Sequence, residues 1–255
     1  MLASTADIIK SYPKIDLEQM WAVKLMNRVD SKYLISAAQL DELLMSVHGR
    51  YMSQVVEGTE YQKYHTVYLD DAEHTMYLAH HNGRLVRQKV RVRSYVDCAD
   101  LSFFEIKLKN NHGRTRKKRI PVEGLDTLAE DGAADFLDKE GMLGIPLEQM
   151  HPVIENDFER ITLVNNCKTE RITIDTGLSF HNLLTDNSAE MEGMVVVEVK
   201  RDGHAESDIT DALSGMRVHP TGFSKYCIGS AITDESLKRN RFIVKIRRIN
   251  KLFQI

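Results

Sequence analysis

In the stretch RQKVRVRSY (87–95) the pattern of polar and apolar positions has a period of two: Arg87, Lys89, Arg91 and Arg93 alternate with Gln88, Val90 and Val92. That period predicts a strand with one cationic face and one largely hydrocarbon face. Strand signals continue through YHTVYLD (64–70), TMYLAHH (75–81), RLVRQKVRVRSYV (84–96), LSFFEIKLK (101–109), RTRKKRIPV (114–122), NDFERITLV (156–164), ERITID (170–175) and MVVVEVK (194–200). RVDSKYLI (28–35) reads as a further strand, LSFHNL (178–183) as a weaker one, and NNHG (110–113) as a hairpin loop. Helical spacing appears in DLEQMWAVKLMN (16–27) after a capping Asp16, and in AAQLDELLMSV (37–47) between Ser36 as cap and Gly49 as stop. Residues 124–150 and 208–216 also read as helical, 219–229 as a turn entering a helix, and RFIVKIRRI (241–249) as a basic element of open type. With no low-complexity linker and no internal repeat, the pattern predicts a single domain over residues 1–255, either an α+β fold or a closed barrel.

Sorting each strand by parity sharpens this. Arg87, Lys89, Arg91, Arg93 and Tyr95 share one face; Glu105, Lys107 and Lys109 oppose Phe104, Ile106 and Leu108. Arg28, Asp30 and Lys32 align, as do Arg171, Thr173 and Asp175, and Glu198 and Lys200 oppose Val197 and Val199. An open sheet with its charged face in water gives the same alternation. Four like charges in a row nevertheless repel and weaken a sheet. A concave lumen whose missing countercharge is a polyanion accounts for them, with helices covering the apolar outer face.

Composition adds an asymmetry. The chain has 255 residues, 42% hydrophobic and 28% charged, and a formal net charge of −3. Between Arg84 and Arg119, however, 12 Lys and Arg stand against three acids, so the rest of the chain is acidic. One region is therefore built to meet an anion. Asp30, Glu105, Asp175 and Glu198 have the parity of the cations, and oxygen ligands beside phosphates suit magnesium or manganese. Cys98, Cys167 and Cys227 form no CxxC pair, which points to a reducing, cytoplasmic setting. No run approaches the 18 apolar residues of a membrane span, and the first residues lack the order of a secretory signal, so a soluble, unprocessed protein is expected. The basic strands show no interleaved aromatic residues, which argues against single-stranded nucleic acid as a partner.

The pieces RVDSKYLI (28–35), YHTVYLDD (64–71), HHNGRLVRQKVRVRSY (80–95), FFEIKLK (103–109) with KKR (117–119), FER (158–160), RITID (171–175), VVVEVK (195–200) and FSKYCIG (223–229) together resemble the vacuolar transporter chaperone (VTC) domain. This is the polyphosphate polymerase branch of the triphosphate tunnel metalloenzymes, and the resemblance covers nearly the whole chain. It implies a closed tunnel of eight antiparallel strands with a basic lumen. ATP and a polyphosphate or triphosphate would be its ligands, with Mn2+ or Mg2+ as cofactor. Carried over by position, Lys32, Arg91, Arg93, Lys107, Arg160, Arg171, Lys200 and Lys225 would contact phosphates, together with Lys117 or Lys118. Arg87 and Lys89 rank behind Arg91 and Arg93, at the tunnel mouth. Lys32, Arg91, Arg93, Lys107 and Lys200 would carry the reaction, Glu198 would ligate the metal, and Glu105 would support it. Hydrolytic relatives carry ExExK on their first strand, where this chain has Arg28, Asp30 and Lys32, so phosphoryl transfer to a polyphosphate chain is expected over hydrolysis. A tripolyphosphatase or nucleoside triphosphatase on the same fold, or a polyphosphate-binding module without catalysis, are the alternatives.

Overall fold

A computed structural model describes residues 4–20, 23, 28–98, 101–112, 114–203 and 206–253. In chain order its elements are α1 (Thr5–Lys10), β1 (Lys14–Ile15), α2 (Leu17–Met20), β2 (Arg28–Ser36), α3 (Ala37–Ser46), β3 (Tyr51–Gln54), β4 (Gln62–Asp70), α4 (Thr75–His81), β5 (Arg87–Tyr95), β6 (Ser102–Lys109) and β7 (Thr115–Val122). There follow α5 (Ala133–Glu140), a 3-10 turn (Leu147–Gln149), β8 (His151–Asn165), β9 (Glu170–Asn182), β10 (Ser188–Glu190), β11 (Met194–Asp202), α6 (Asp208–Gly215), α7 (Lys225–Thr233) and α8 (Asn240–Phe253). The fold is α+β, and its long strands pair antiparallel. None of the described helices is long and apolar enough to cross a membrane.

The chain divides into two compact units. The first comprises Met1–Lys63, Phe158–Leu178 and Met191–Phe223, and the second Tyr64–Asp157, Ser179–Glu190 and Ser224–Ile255. In the first, β2 pairs with β11, and β11 with β9. The apolar faces of these strands meet α1, α3 and α6 in a core that includes Ile9, Ile35, Leu43, Leu44, Ile172, Ile174, Val197 and Leu213, each fully or almost fully buried. Helix α3 starts where the sequence places it: Ser36 and Gln39 cap one another's backbone N–H groups. In the second unit β4 pairs with β5, β5 with β6, and β6 with β7. Val90, Val92, Phe104 and Ile106 are buried on one side of these strands. Helix α5 covers that side, with Phe136 edge-on to Phe104. Helix α7 lies so near β9 that a side chain at Gly229 would stand 2.4 Å from the Phe180 ring, which leaves room only for glycine.

The large antiparallel sheet expected from the sequence is present, and no strand pairing among the described residues closes it into a barrel. Among the described residues β2 pairs only with β11 and β7 only with β6, so each is an edge strand. TMYLAHH is corrected, from a strand to helix α4. Asp70, the last residue of β4, and Asp71 after it reverse the chain: Asp70 accepts the N–H groups of Asp71, Met76 and Tyr77 at 2.9–3.0 Å, and Asp71 accepts that of Thr75 at 2.7 Å. Carboxylates satisfying the free donors of a first turn outweigh the β propensity of Thr, Met and Tyr. Of the 16–27 helix only Leu17–Met20 is observed; residues 21, 22 and 24–27 lie outside the described residues. The two strand predictions at 170–175 and 178–183 merge into β9, which bends at Gly177 (φ +59°). Strands β1, β3 and β10, of two to four residues, are too short for alternation to announce them. The basic element at 241–249 is helix α8.

Candidate phosphate-binding faces

In the first unit, the register of β2, β11 and β9 sets Lys32 opposite Glu198, with Thr173 on the other side of Glu198, and sets Asp30 and Arg171 on either side of Lys200. Lys32 Nζ donates to one oxygen of Glu198 and Lys200 Nζ to the other. Burial pushes the Lys200 ammonium down to about 8, and Arg160 and Lys32 act in the same direction against the attraction of Glu198. On β8, Arg160 grips Asp175 through two bonds of 2.6 and 2.8 Å. The Thr173 hydroxyl, next to Glu198, is buried with no hydrogen-bond partner among the described residues. A buried hydroxyl without a partner is the kind of group a bound oxyanion would satisfy.

In the second unit, Arg91 lies opposite Glu105 on one side and Tyr68 on the other. Its Nε and one terminal nitrogen donate to Glu105 Oε2 at 2.8 and 2.5 Å, while Lys117 donates to Oε1 at 2.8 Å. Burial alone would raise the Glu105 carboxyl, but Arg91, Arg93 and Lys117 outweigh it and hold the group near 2. Arg91 also reaches Tyr68 Oη at 3.4 Å, and the Tyr68 ring stacks on Tyr226 at 5.1 Å. Tyr226 Oη donates to Asp70, the carboxylate that caps α4. Burial raises the Asp70 carboxyl, against the donors gathered around it. Lys89 donates to Ser224 Oγ at 2.5 Å, and Ser224 caps α7, whose first residue is Lys225. Arg87 lies opposite Lys109, and Lys107 between Lys89 and Lys117.

Most of the sequence-predicted site residues therefore gather as parity required. Lys32, Arg160, Arg171, Lys200 and Glu198 lie on strands of the first unit, and Arg87, Lys89, Arg91, Arg93, Lys107, Lys117 and Glu105 on strands of the second. Lys118 does not join them. It lies opposite Ile106, on the other face of the hairpin, 3.5 Å from Glu140 of α5. Sequence reasoning missed Tyr68, Asp70, Tyr226 and Arg119. It also took the basic strands to lack interleaved aromatics, whereas Tyr64, Tyr68, Tyr95 and Phe103 share the cation face. Parity within YHTVYLD and FFEIKLK carried that signal once the cross-strand register is known.

The order of these basic and acidic strand pieces along the chain has a counterpart among protein families: the VTC domain matches residues 27–233. The chain belongs to the VTC domain family. No curated protein matches this VTC domain by sequence. Among solved structures it is similar to the PH1819 protein of Pyrococcus horikoshii OT3, with 11% identity over 74% of this chain and 86% of that one and a TM-score of 0.40. It is similar also to the inorganic triphosphatase NE1496, with 13% identity over 71% and 80% and a TM-score of 0.27. At these scores the likeness carries no inference about what the VTC domain does.

A divalent cation finds no ready-made cage here: no group of three or more His, Cys, Asp or Glu residues among those described could hold one. Glu105, at 1% exposure and with both oxygens held by Arg91 and Lys117, does not fit the role of ligand. Glu198 fits better. It is 13% exposed and its counterions are two ammonium groups on flexible stems, which can move to a phosphate and free an oxygen. Magnesium and manganese are commonly held by one or two carboxylates with substrate phosphates supplying other ligands.

Proposed function

We propose that this VTC domain transfers the terminal phosphoryl group of ATP to a polyphosphate chain in a reaction that depends on Mn2+ or Mg2+. The observation that carries this reading is the face formed by β5, β6 and β7, where eight cations (Arg87, Lys89, Arg91, Arg93, Lys107, Lys109, Lys117 and Arg119) meet one carboxylate, Glu105. Such a surplus is stabilised by a bound polyanion. In the step itself, a terminal oxygen of the polyphosphate attacks the γ-phosphorus of ATP. The bond from that phosphorus to the β,γ-bridging oxygen breaks, and ADP departs with the electron pair. The attacking oxygen is already ionised, so no protein base is needed. The protein's task is in-line positioning and neutralisation of the non-bridging oxygens. Lys32, Lys200, Arg91, Arg93 and Lys107 are assigned that task, with Arg160, Arg171, Lys117 and Lys225 as further phosphate contacts. The divalent ion adds charge neutralisation at the phosphates when bound, with Glu198 as its protein ligand. A cytoplasmic location accords with three widely spaced cysteines, Cys98, Cys167 and Cys227, that form no CxxC pair.

The test is direct. Purified protein given ATP and manganese is expected to yield ADP and long-chain polyphosphate. Orthophosphate as the sole new phosphate product overturns the polymerase reading in favour of a triphosphatase. Tight polyphosphate binding without turnover, unchanged in Glu198→Ala, leaves a binding module.

A further inference from the structure

At the end of β5 where Tyr95 stands, the cation face of the second unit changes character. Tyr64 lies directly opposite Tyr95, their ring centroids 4.9 Å apart, and Phe103 meets Tyr95 edge-on at 5.9 Å. The Arg119 guanidinium lies 4.0 Å over the Phe103 ring and one of its terminal nitrogens is 3.5 Å from Tyr95 Oη. Arg93 lies 5.2 Å over the Tyr64 ring, joining this cluster to the phosphate candidates. Cross-strand aromatic pairs stabilise hairpins, and that accounts for Tyr64 opposite Tyr95. It does not account for the side of the sheet they occupy. Val90, Val92, Phe104 and Ile106 fill the buried face, while Tyr64, Tyr95 and Phe103 remain partly exposed beside cations and Arg119 is exposed.

We infer that Tyr64, Tyr95, Phe103 and Arg119 form a stacking platform for the base of a nucleoside triphosphate whose phosphates lie along Arg93, Arg91 and Lys107. The inference rests on reading that face as a phosphate site. Arg91 and Tyr95 are four strand residues apart, roughly 13 Å at about 3.3 Å per residue, the order of a ribose plus two phosphates. Aromatic rings and a guanidinium plane both offer π surfaces to a base. Stacking of this kind recognises a base by its face and not by its hydrogen-bonding edge, so ATP and GTP should bind alike. The platform gives the site a reason to accept a nucleotide donor, which phosphate contacts alone do not supply, since inorganic triphosphate satisfies them equally.

The experiment titrates ATP and inorganic tripolyphosphate separately into the wild type, Phe103→Leu and Tyr95→Leu. Both substitutions keep apolar bulk, and each removes one stacking surface. About tenfold weaker ATP binding in each variant is expected, with tripolyphosphate affinity unchanged within about twofold and equal affinities of the wild type for ATP and GTP. A parallel fall for ATP and tripolyphosphate, or no change for ATP, overturns the platform while leaving the phosphate site in place. A wild type that binds neither ligand removes the phosphate reading and the platform with it. Turnover is not needed, so a hydrolase outcome in the polymerase assay leaves this test intact.

Discussion

The two units build the same small device, a glutamate held between two cations, and set it in opposite surroundings. In the first, Glu198 lies between Lys32 and Lys200, Asp175 pairs with Arg160, and Asp30 and Arg171 flank Lys200, so four cations share the face with three carboxylates and it is nearly neutral. In the second, Glu105 lies between Arg91 and Lys117 in a field of further cations. Glu198 keeps some access to solvent; Glu105 keeps almost none. The difference separates two tasks. A balanced, partly accessible cluster can exchange partners as a ligand arrives, whereas an over-charged one with a locked carboxylate supplies standing attraction for an anion.

Replacing a cation in each device tests the division most sharply. Lys200→Ala should cut phosphoryl transfer by at least about a hundredfold while the protein stays folded, because Glu198 still has Lys32. Arg91→Ala should lose activity and also stability, by about 3 kcal/mol, because it removes both bonds to Oε2 of the almost fully buried Glu105 and leaves only Lys117 on Oε1. Thermal unfolding of the two variants side by side reads the contrast, and equal loss of stability in both would break it.

Acid comes next. Glu105 is held near 2 in the folded protein against an ordinary value of 4.5. Its contribution is therefore complete above pH 4.5 and is lost as pH falls through about 2. The shift corresponds to about 3 kcal/mol. Glu105→Gln should flatten the fall in stability between these values, measured by denaturant titration across the range. An unchanged acid limb would mean that Glu105 is not the locked partner described.

Salt discriminates more gently. Tripolyphosphate affinity should fall with ionic strength, and the slope should flatten more in Lys107→Ala than in Lys32→Ala, because only the face around Lys107 carries a standing surplus. The smallest effect belongs to Lys118→Ala. Facing the other way and beside Glu140, it should leave tripolyphosphate affinity within about twofold. A large loss would place it on the binding face after all.

Parity within single strands was enough to group the cations and carboxylates, because a strand's period of two fixes which side chains share a face before any partner strand is known. It could not say how strands pair, and the aromatic platform and the split between Lys117 and Lys118 depend on that register. Closure was equally out of reach, since open and closed sheets impose the same alternation. α4 escaped because the signal lay outside the segment: Asp70, read as the end of a strand, and Asp71 after it are what start the helix. Tyr226 escaped for a related reason, its hydrogen-bond partner being 156 positions away.

The edge strand β7 has one more consequence. A strand with one open edge invites another to join it, and four successive cations, Arg116 to Arg119, followed by Pro121, discourage that pairing. Alternation divides these charges, with Lys117 and Arg119 on the face of Glu105 and Lys107 and Arg116 and Lys118 on the other. A polyanion that neutralises the first pair leaves the second pair and the proline unaffected. Neutralising one face of the strand therefore leaves its guard against self-association in place.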